Sequence, residues 1–308
     1  MRTGAIDLAG FAKPPAWFYR SKWLSNISDS DAGRPPLPDT ASTVRIVENW
    51  QAPLSSGKTT RTVHVYSNAP LVSLELNGAA VGAPQTGGDF DRIPEFKVVY
   101  APGVLTAKAL AADGETVMAT HSINSWGAAV GIKLTMDVPS LATGTGTKVF
   151  VDGRDVALLR CTVVDAAGNP VLDSTANITF AIDAGPGFVA GVGNGDPACQ
   201  EPSQSSWRSS YHALTRAIVR VTVDASGTDE ERQLRADVNM EAGKGAESRS
   251  SKVLLGPASA APTSITVSAS SVGLKGTSFA IPLSVDPKDE VLAVAEASVG
   301  MADTGTHD

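Results

Sequence analysis

The sequence predicts a mainly β chain built from small sandwich modules, and three observations carry that reading. Apolar residues alternate with polar ones in short runs, such as Val63 and Val65, Val72, Leu74 and Leu76, and Ile132, Leu134, Met136 and Val138. Turn dipeptides separate the runs, with Asn77-Gly78 and Asp113-Gly114 the strongest. The 308 residues include 29 glycines and 19 prolines, a supply that suits many short strands joined by tight turns. At this length two or three domains are expected.

The first 24 residues stand apart. Trp17, Phe18, Tyr19 and Trp23 crowd into seven positions behind Pro14-Pro15, where a helix can begin. A helix over Ala16–Leu24 places Tyr19 and Trp23 on one face, with Phe18 beside them. So short a helix needs a larger body to pack against. Its exposure is expected to limit solubility, and removal of residues 1–24 to improve it. The polar, proline-rich stretch 26–40 reads as a linker. Residues 41–140 then read as one β-sandwich and 141–258 as a second, containing Ala157, Leu159, Cys161 and Val163, then Ile178, Phe180 and Ile182, and finally Ala217 to Val223. Cys161 belongs on the apolar face of its strand. The segment GPGFVAGVGNGDPACQEP reads as irregular. ITVSAS and FAIPLSVD, within 259–308, read as two strands of a partial module or tail.

Charge and motif content narrow the function. The formal net charge is −7 without a basic patch, so no nucleic-acid partner is expected. No run of about 18 apolar residues exists, so no membrane span is expected, and the chain shows no signal peptide of its own. His64, His121, His212 and His307 are scattered without ligand spacing, and neither HExxH nor CxxC occurs; no metal or cofactor is expected. A GxSxG elbow is absent as well. The loop around GVGNGDP is the one unusual place. Asn194, Asp196, Glu201 and Trp207 are the candidates there for contacting a ligand or a neighbouring domain, and Asp196 and Glu201 are the candidate carboxylate pair. The plainer reading is an Asx-type turn in a long loop. Trp50, Trp126 and Trp207 are the candidate aromatic platforms for a sugar, and Trp207, in a polar loop, has the best chance of exposure.

These segments occur in an order that resembles the C-terminal part of a glycoside hydrolase family 2 protein of the β-galactosidase type. GAIDLAGFAKPPAWFYRSKWL at 4–24 is similar to the close of that family's catalytic (β/α)₈ barrel. VENWQAP at 47–53, VHVYSNAPLVSLELNG at 63–78 and VVYAPGVLTAKAL at 98–110 resemble the sandwich that follows it. VDGRDVALLRCTVVDAAGNPV at 151–171, GVGNGDP at 191–197 and SSYHALTRAIVRV at 209–221 resemble an immunoglobulin-like module. The resemblance implies tandem immunoglobulin-like β-sandwiches preceded, over 1–25, by a helical remnant of a (β/α)₈ barrel. It implies further that the catalytic glutamates are not in this chain, which then serves as an accessory region, inactive alone. The partners implied are the barrel, in cis or in trans, and a β-linked sugar. Where many relatives carry Phe-Asn-Gly, this chain has Tyr211, His212 and Ala213. The alternative is a non-catalytic carbohydrate-binding or adhesion sandwich.

Overall fold

The computed structural model describes residues 4–23, 42–51, 59–88, 91–137, 149–151, 153–222 and 263–284. The expected linker at 26–40, the junction at 141–147, Val138, Val223 and His307 lie outside these. The described chain is mainly β and falls into two compact units.

The first unit opens with a tight N-terminal turn. The Asp7 carboxylate accepts the Ala9 and Phe11 N–H groups, both at 2.9 Å, and Phe11 is buried. Helix α1 follows over Pro14–Trp23, beginning at the proline pair and ending on Arg20 and Lys22, which suit the negative end of the helix dipole. Strands β1 (Val44–Ile46), β2 (Thr60–Ser67), β3 (Leu71–Leu76), β4 (Ala79–Ala80), β5 (Gln85–Thr86), β6 (Glu95–Val99), β7 (Val104–Leu110) and β8 (Val117–Asn124) complete it. They form one sheet in the order β1-β2-β6 and another in the order β4-β3-β7-β8, with β5 also paired to β3. Alternate residues of the two sheets, Val63 and Val65 from one and Val72, Leu74, Leu105 and Ala107 from the other, share a single core with Trp50. Asn77 and Gly78, at φ 53° and 82°, make the two-residue turn between β3 and β4. The Asn77 amide also reaches sideways, accepting Val104 N–H and donating to Pro102 O.

The second unit contains β9 (Gly131–Met136), β10 (Val156–Val164), β11 (Asn177–Ala184), β12 (Gly187–Gly193), β13 (Trp207–Ser209), β14 (Leu214–Val221), β15 (Ser264–Ser271) and β16 (Leu274–Pro282). Two four-stranded halves, β12-β14-β10-β9 and β16-β15-β11-β13, join through one parallel bridge between Lys275 and Gly131. Leu159, Cys161, Val163 and Val219 are buried on one half, and Ile178, Phe180, Ile265 and Val267 on the other. Cys161 sits on the apolar face of its strand, and burial pushes its thiol up to about 12, which leaves it inert.

Three differences from the sequence reading concern the strands. β9, placed by alternation at the end of the first sandwich, pairs with β10 in the second unit. ITVSAS and FAIPLSVD do carry strands, β15 and β16, but β15 pairs with β11 rather than opening a module of its own. Alternation reveals that a strand exists and which face is apolar, and it is silent on the neighbour. Lastly, part of the glycine-rich segment read as irregular is strand β12. Its Gly187 is needed for close approach, since a Cβ there would meet Ile265 Cδ1 at 2.8 Å and Arg220 O at 3.1 Å.

Candidate functional site

The segment between β12 and β13 is built around a side chain that the sequence reading passed over, Arg208. Strand β13 alternates, so Trp207 and Ser209 turn outward while Arg208 turns in and is 4% exposed. Its guanidinium donates to Val192 O and Glu201 O, both at 2.9 Å, to Ser203 Oγ at 3.2 Å and to Cys199 Sγ at 3.1 Å. A planar fork with five donors is the one side chain able to gather so many acceptors from one loop. Nothing local in the sequence announces this. An arginine between a tryptophan and two serines reads as surface.

Around that cation, Glu201 lies with a carboxylate oxygen 3.9 Å from the Arg208 guanidinium. The same carboxylate accepts the Ser209 N–H at 2.9 Å and the Cys199 thiol at 3.4 Å. Burial works to raise the Glu201 pKa, but the Ser209 and Cys199 hydrogen bonds and the Arg208 charge outweigh it and hold the group below its ordinary value. A general acid needs the opposite shift. Glu201 is thus an ionised anchor for the loop. Asn194 is also buried, its amide donating to Ser209 O at 2.9 Å and Ser209 Oγ at 3.3 Å.

Gly195–Ala198 groups with the first unit. Asp196 accepts the Ala198 N–H at 3.0 Å, which is the Asx-type turn of the plainer reading. Gly195, at φ 78°, presents its Cα so close to the Asp7 carboxylate that a Cβ would collide with it. Of the four residues singled out in the sequence, Asn194 and Glu201 therefore share one hydrogen-bonded cluster through Ser209. Asp196 makes a local turn, and Trp207 faces the other way, away from Arg208.

Other features fall into place around the units. Trp50 is buried, with its indole N–H donating to Ala101 O at 2.9 Å, so it is a core residue rather than a sugar platform. Asp165 accepts the N–H groups of Gly127, Ala167 and Asn169, which hold its carboxyl down to about 2. His121 accepts the Ile46 N–H through Nδ1 at 3.2 Å, and burial followed by the Arg45 charge lowers it to about 4. No group of three or more His, Cys, Asp or Glu side chains suited to a metal occurs among the described residues. No helix among them is long and apolar enough to cross a membrane.

Comparison with known proteins completes the site's setting. The model of glycoside hydrolase family 2 C-terminal domain 5 matches residues 142–236, and a domain of unknown function (DUF4982) matches 57–118. The β-galactosidase BoGH2A of Bacteroides ovatus is 26% identical over 218 residues, which are 70% of this chain and 22% of that protein. The chain matches the C-terminal region of family 2 glycoside hydrolases. A putative β-glucuronidase of Formosa agariphila is 31% identical over 105 residues, 34% of this chain and 9% of that protein. Among solved structures, a β-glycosidase from Bacteroides vulgatus superposes with a TM-score of 0.64 at 20% identity, over 91% of this chain and 28% of that one. A family 2 member from Bacteroides cellulosilyticus gives 0.61 at 22% identity, over 90% and 32%. These similarities establish the shared fold. The chain spans 22% of the length of BoGH2A and 9% of the putative β-glucuronidase.

Proposed function

We propose that the chain is the accessory C-terminal region of a family 2 β-glycosidase, immunoglobulin-like sandwiches that stand beside a catalytic (β/α)₈ barrel and are inactive alone. The observation that carries this reading is the two-sided character of α1. One side of the helix packs on the first sandwich, with Phe18 edge-on to Tyr66 at 5.4 Å and Arg45 over the Trp17 ring at 4.7 Å. The other side is exposed. Tyr19 and Trp23 stack on one another at 4.8 Å, yet are 43% and 68% exposed. Leu8 in the preceding turn is 82% exposed. A stacked aromatic pair on a ten-residue helix is a surface that needs a large neighbour, and the barrel of which α1 would be the last helix supplies one.

In this reading the barrel provides the two carboxylates that cleave a β-linked glycoside, and the sandwiches hold its closing helix in place. Two measurements test it. The reading frame upstream of residue 1 should encode repeated strand–helix units with two glutamates at strand ends; a stop codon directly upstream would overturn the reading. The purified chain should not turn over 4-nitrophenyl β-galactoside or β-glucuronide, and turnover lost on substituting a residue of this chain would count decisively against it.

A further inference from the structure

We infer that the outward face of β13, β11 and β15 is a binding site for a neutral glycan, an inference independent of the accessory reading above. Strand register sets the site. Trp207 pairs with Thr179, and Thr179 on its other side with Ser270, so the three form one row across the sheet. Their neighbours in sequence, Arg208, Ile178, Phe180 and Ala269, are buried, which turns this row outward.

A depression of about 380 Å³ lies in the same face, lined by Asn177, Thr179, Ser270, Ser271 and Val272. That is near the lower end of the range for small-molecule pockets. Among the described residues the lining carries amide and hydroxyl groups, one apolar contact and no charge. None of the side chains of Asn177, Thr179, Ser270 and Ser271 makes a hydrogen bond to another described residue, and neither does the Trp207 indole N–H. Further along this face Ser268 donates to Asp183 at 2.9 Å. Here donors and acceptors stand open to a ligand, beside an aromatic ring.

This combination selects a class of ligand. A pyranose with equatorial hydroxyls offers a flat C–H face to an indole and a rim of hydroxyls to amide and hydroxyl partners. A neutral lining gives no advantage to a phosphate or an acidic sugar, which would call for arginine or lysine. The site thus suits a neutral β-linked chain lying across the strands, with one ring on Trp207 and the next over the depression.

The test is native affinity electrophoresis of the whole chain through gels containing β-1,4-galactan, hydroxyethyl cellulose or, as an acidic comparison, polygalacturonate. Retardation is expected in at least one neutral gel and not in the acidic one. Trp207→Ala should abolish it, and the double variant T179V/S270A should weaken it about tenfold or more, while Trp207→Tyr keeps most of it. Thermal melting of each variant separates loss of binding from loss of fold. Retardation that survives in folded Trp207→Ala, or is confined to the acidic gel, overturns the assignment, and so does absence of retardation in every neutral gel.

Discussion

Arg208 offers the sharpest test of how the candidate loop is built, through the pair Arg208→Met and Arg208→Lys. Methionine fills the volume of the stem but leaves Val192 O and Glu201 O without their donor. An acceptor stripped of its partner costs about 1–3 kcal/mol when buried and less where solvent can reach. The Val192 bond is the buried one, so the two together amount to about 2–4 kcal/mol. Removing the guanidinium also removes its own burial penalty, which offsets part of this. We expect a net loss of about 1–3 kcal/mol for Arg208→Met. Lysine keeps the charge beside Glu201 but replaces the fork with a point donor that cannot span carbonyls on both sides. If the fork organises the loop, Arg208→Lys should therefore be no better than Arg208→Met. Urea unfolding, with limited proteolysis between Val192 and Ser203, measures both quantities. Full rescue by lysine would mean that only the ion pair with Glu201 matters. Two variants within about 0.5 kcal/mol of the parent, with unchanged cleavage, would refute the role altogether.

Three further outcomes follow from the geometry. His121, lowered from 6.5 to about 4, resists protonation in the folded state while the unfolded chain takes up a proton, so its contribution is lost as pH falls from about 6.5 to 4 and levels off below. The ceiling is about 3 kcal/mol, and solvent at the partly covered ring reduces it to about 1–2 kcal/mol; urea midpoints between pH 7 and 4.5 should fall less steeply in His121→Gln, and parallel curves would refute the assignment. Gly195→Ala should cost about 2 kcal/mol, from its positive φ and the displaced Asp7 hydrogen bonds, whereas Gly168→Ala, with nothing near its Cβ, should cost only about 1 kcal/mol; equal chemical-denaturation losses would show that Asp7 yields freely. The double variant Y19S/W23S should raise solubility with a melting temperature close to the parent's, while deletion of residues 1–24 also strips Phe18 from Tyr66 and lowers it; light scattering and thermal melts would contradict this if the deletion proved the more stable.

How much of this was legible in the sequence depends on the range of the interaction. Strands and their apolar faces were legible because side-chain direction alternates with period two, and Val63, Val65, Val72 and Leu74 are buried as that period demands. The helix of residues 14–23 was legible from its prolines and aromatic spacing. The partners of β9 and β15 were not, since pairing across tens of residues leaves no local mark. The candidate loop shows the same divide. The Asp196 turn is local and could be named, but the residue that organises its surroundings, Arg208, acts through acceptors as far back as Val192.

The turn between Tyr211 and Leu214 shows a different kind of illegibility, one of chemistry rather than range. Asn77-Gly78 was readable because that dipeptide favours positive φ at both positions. His212 and Ala213 adopt the same conformation, at φ 51° and 66°, closed by reciprocal bonds between Tyr211 and Leu214 at 2.9 and 3.0 Å, although neither residue announces a turn. Alanine in the left-handed region costs about 1–2 kcal/mol. Two features offset that here: the Ala213 methyl is fully buried, worth about 0.8 kcal/mol, and its carbonyl accepts the Val163 N–H at 2.9 Å. Glycine in its place would relieve the backbone, lose the methyl and add freedom to the unfolded chain. The terms nearly cancel, which explains how a sequence without the usual signal still folds into this turn. In such places tertiary packing, and not local propensity, selects the turn.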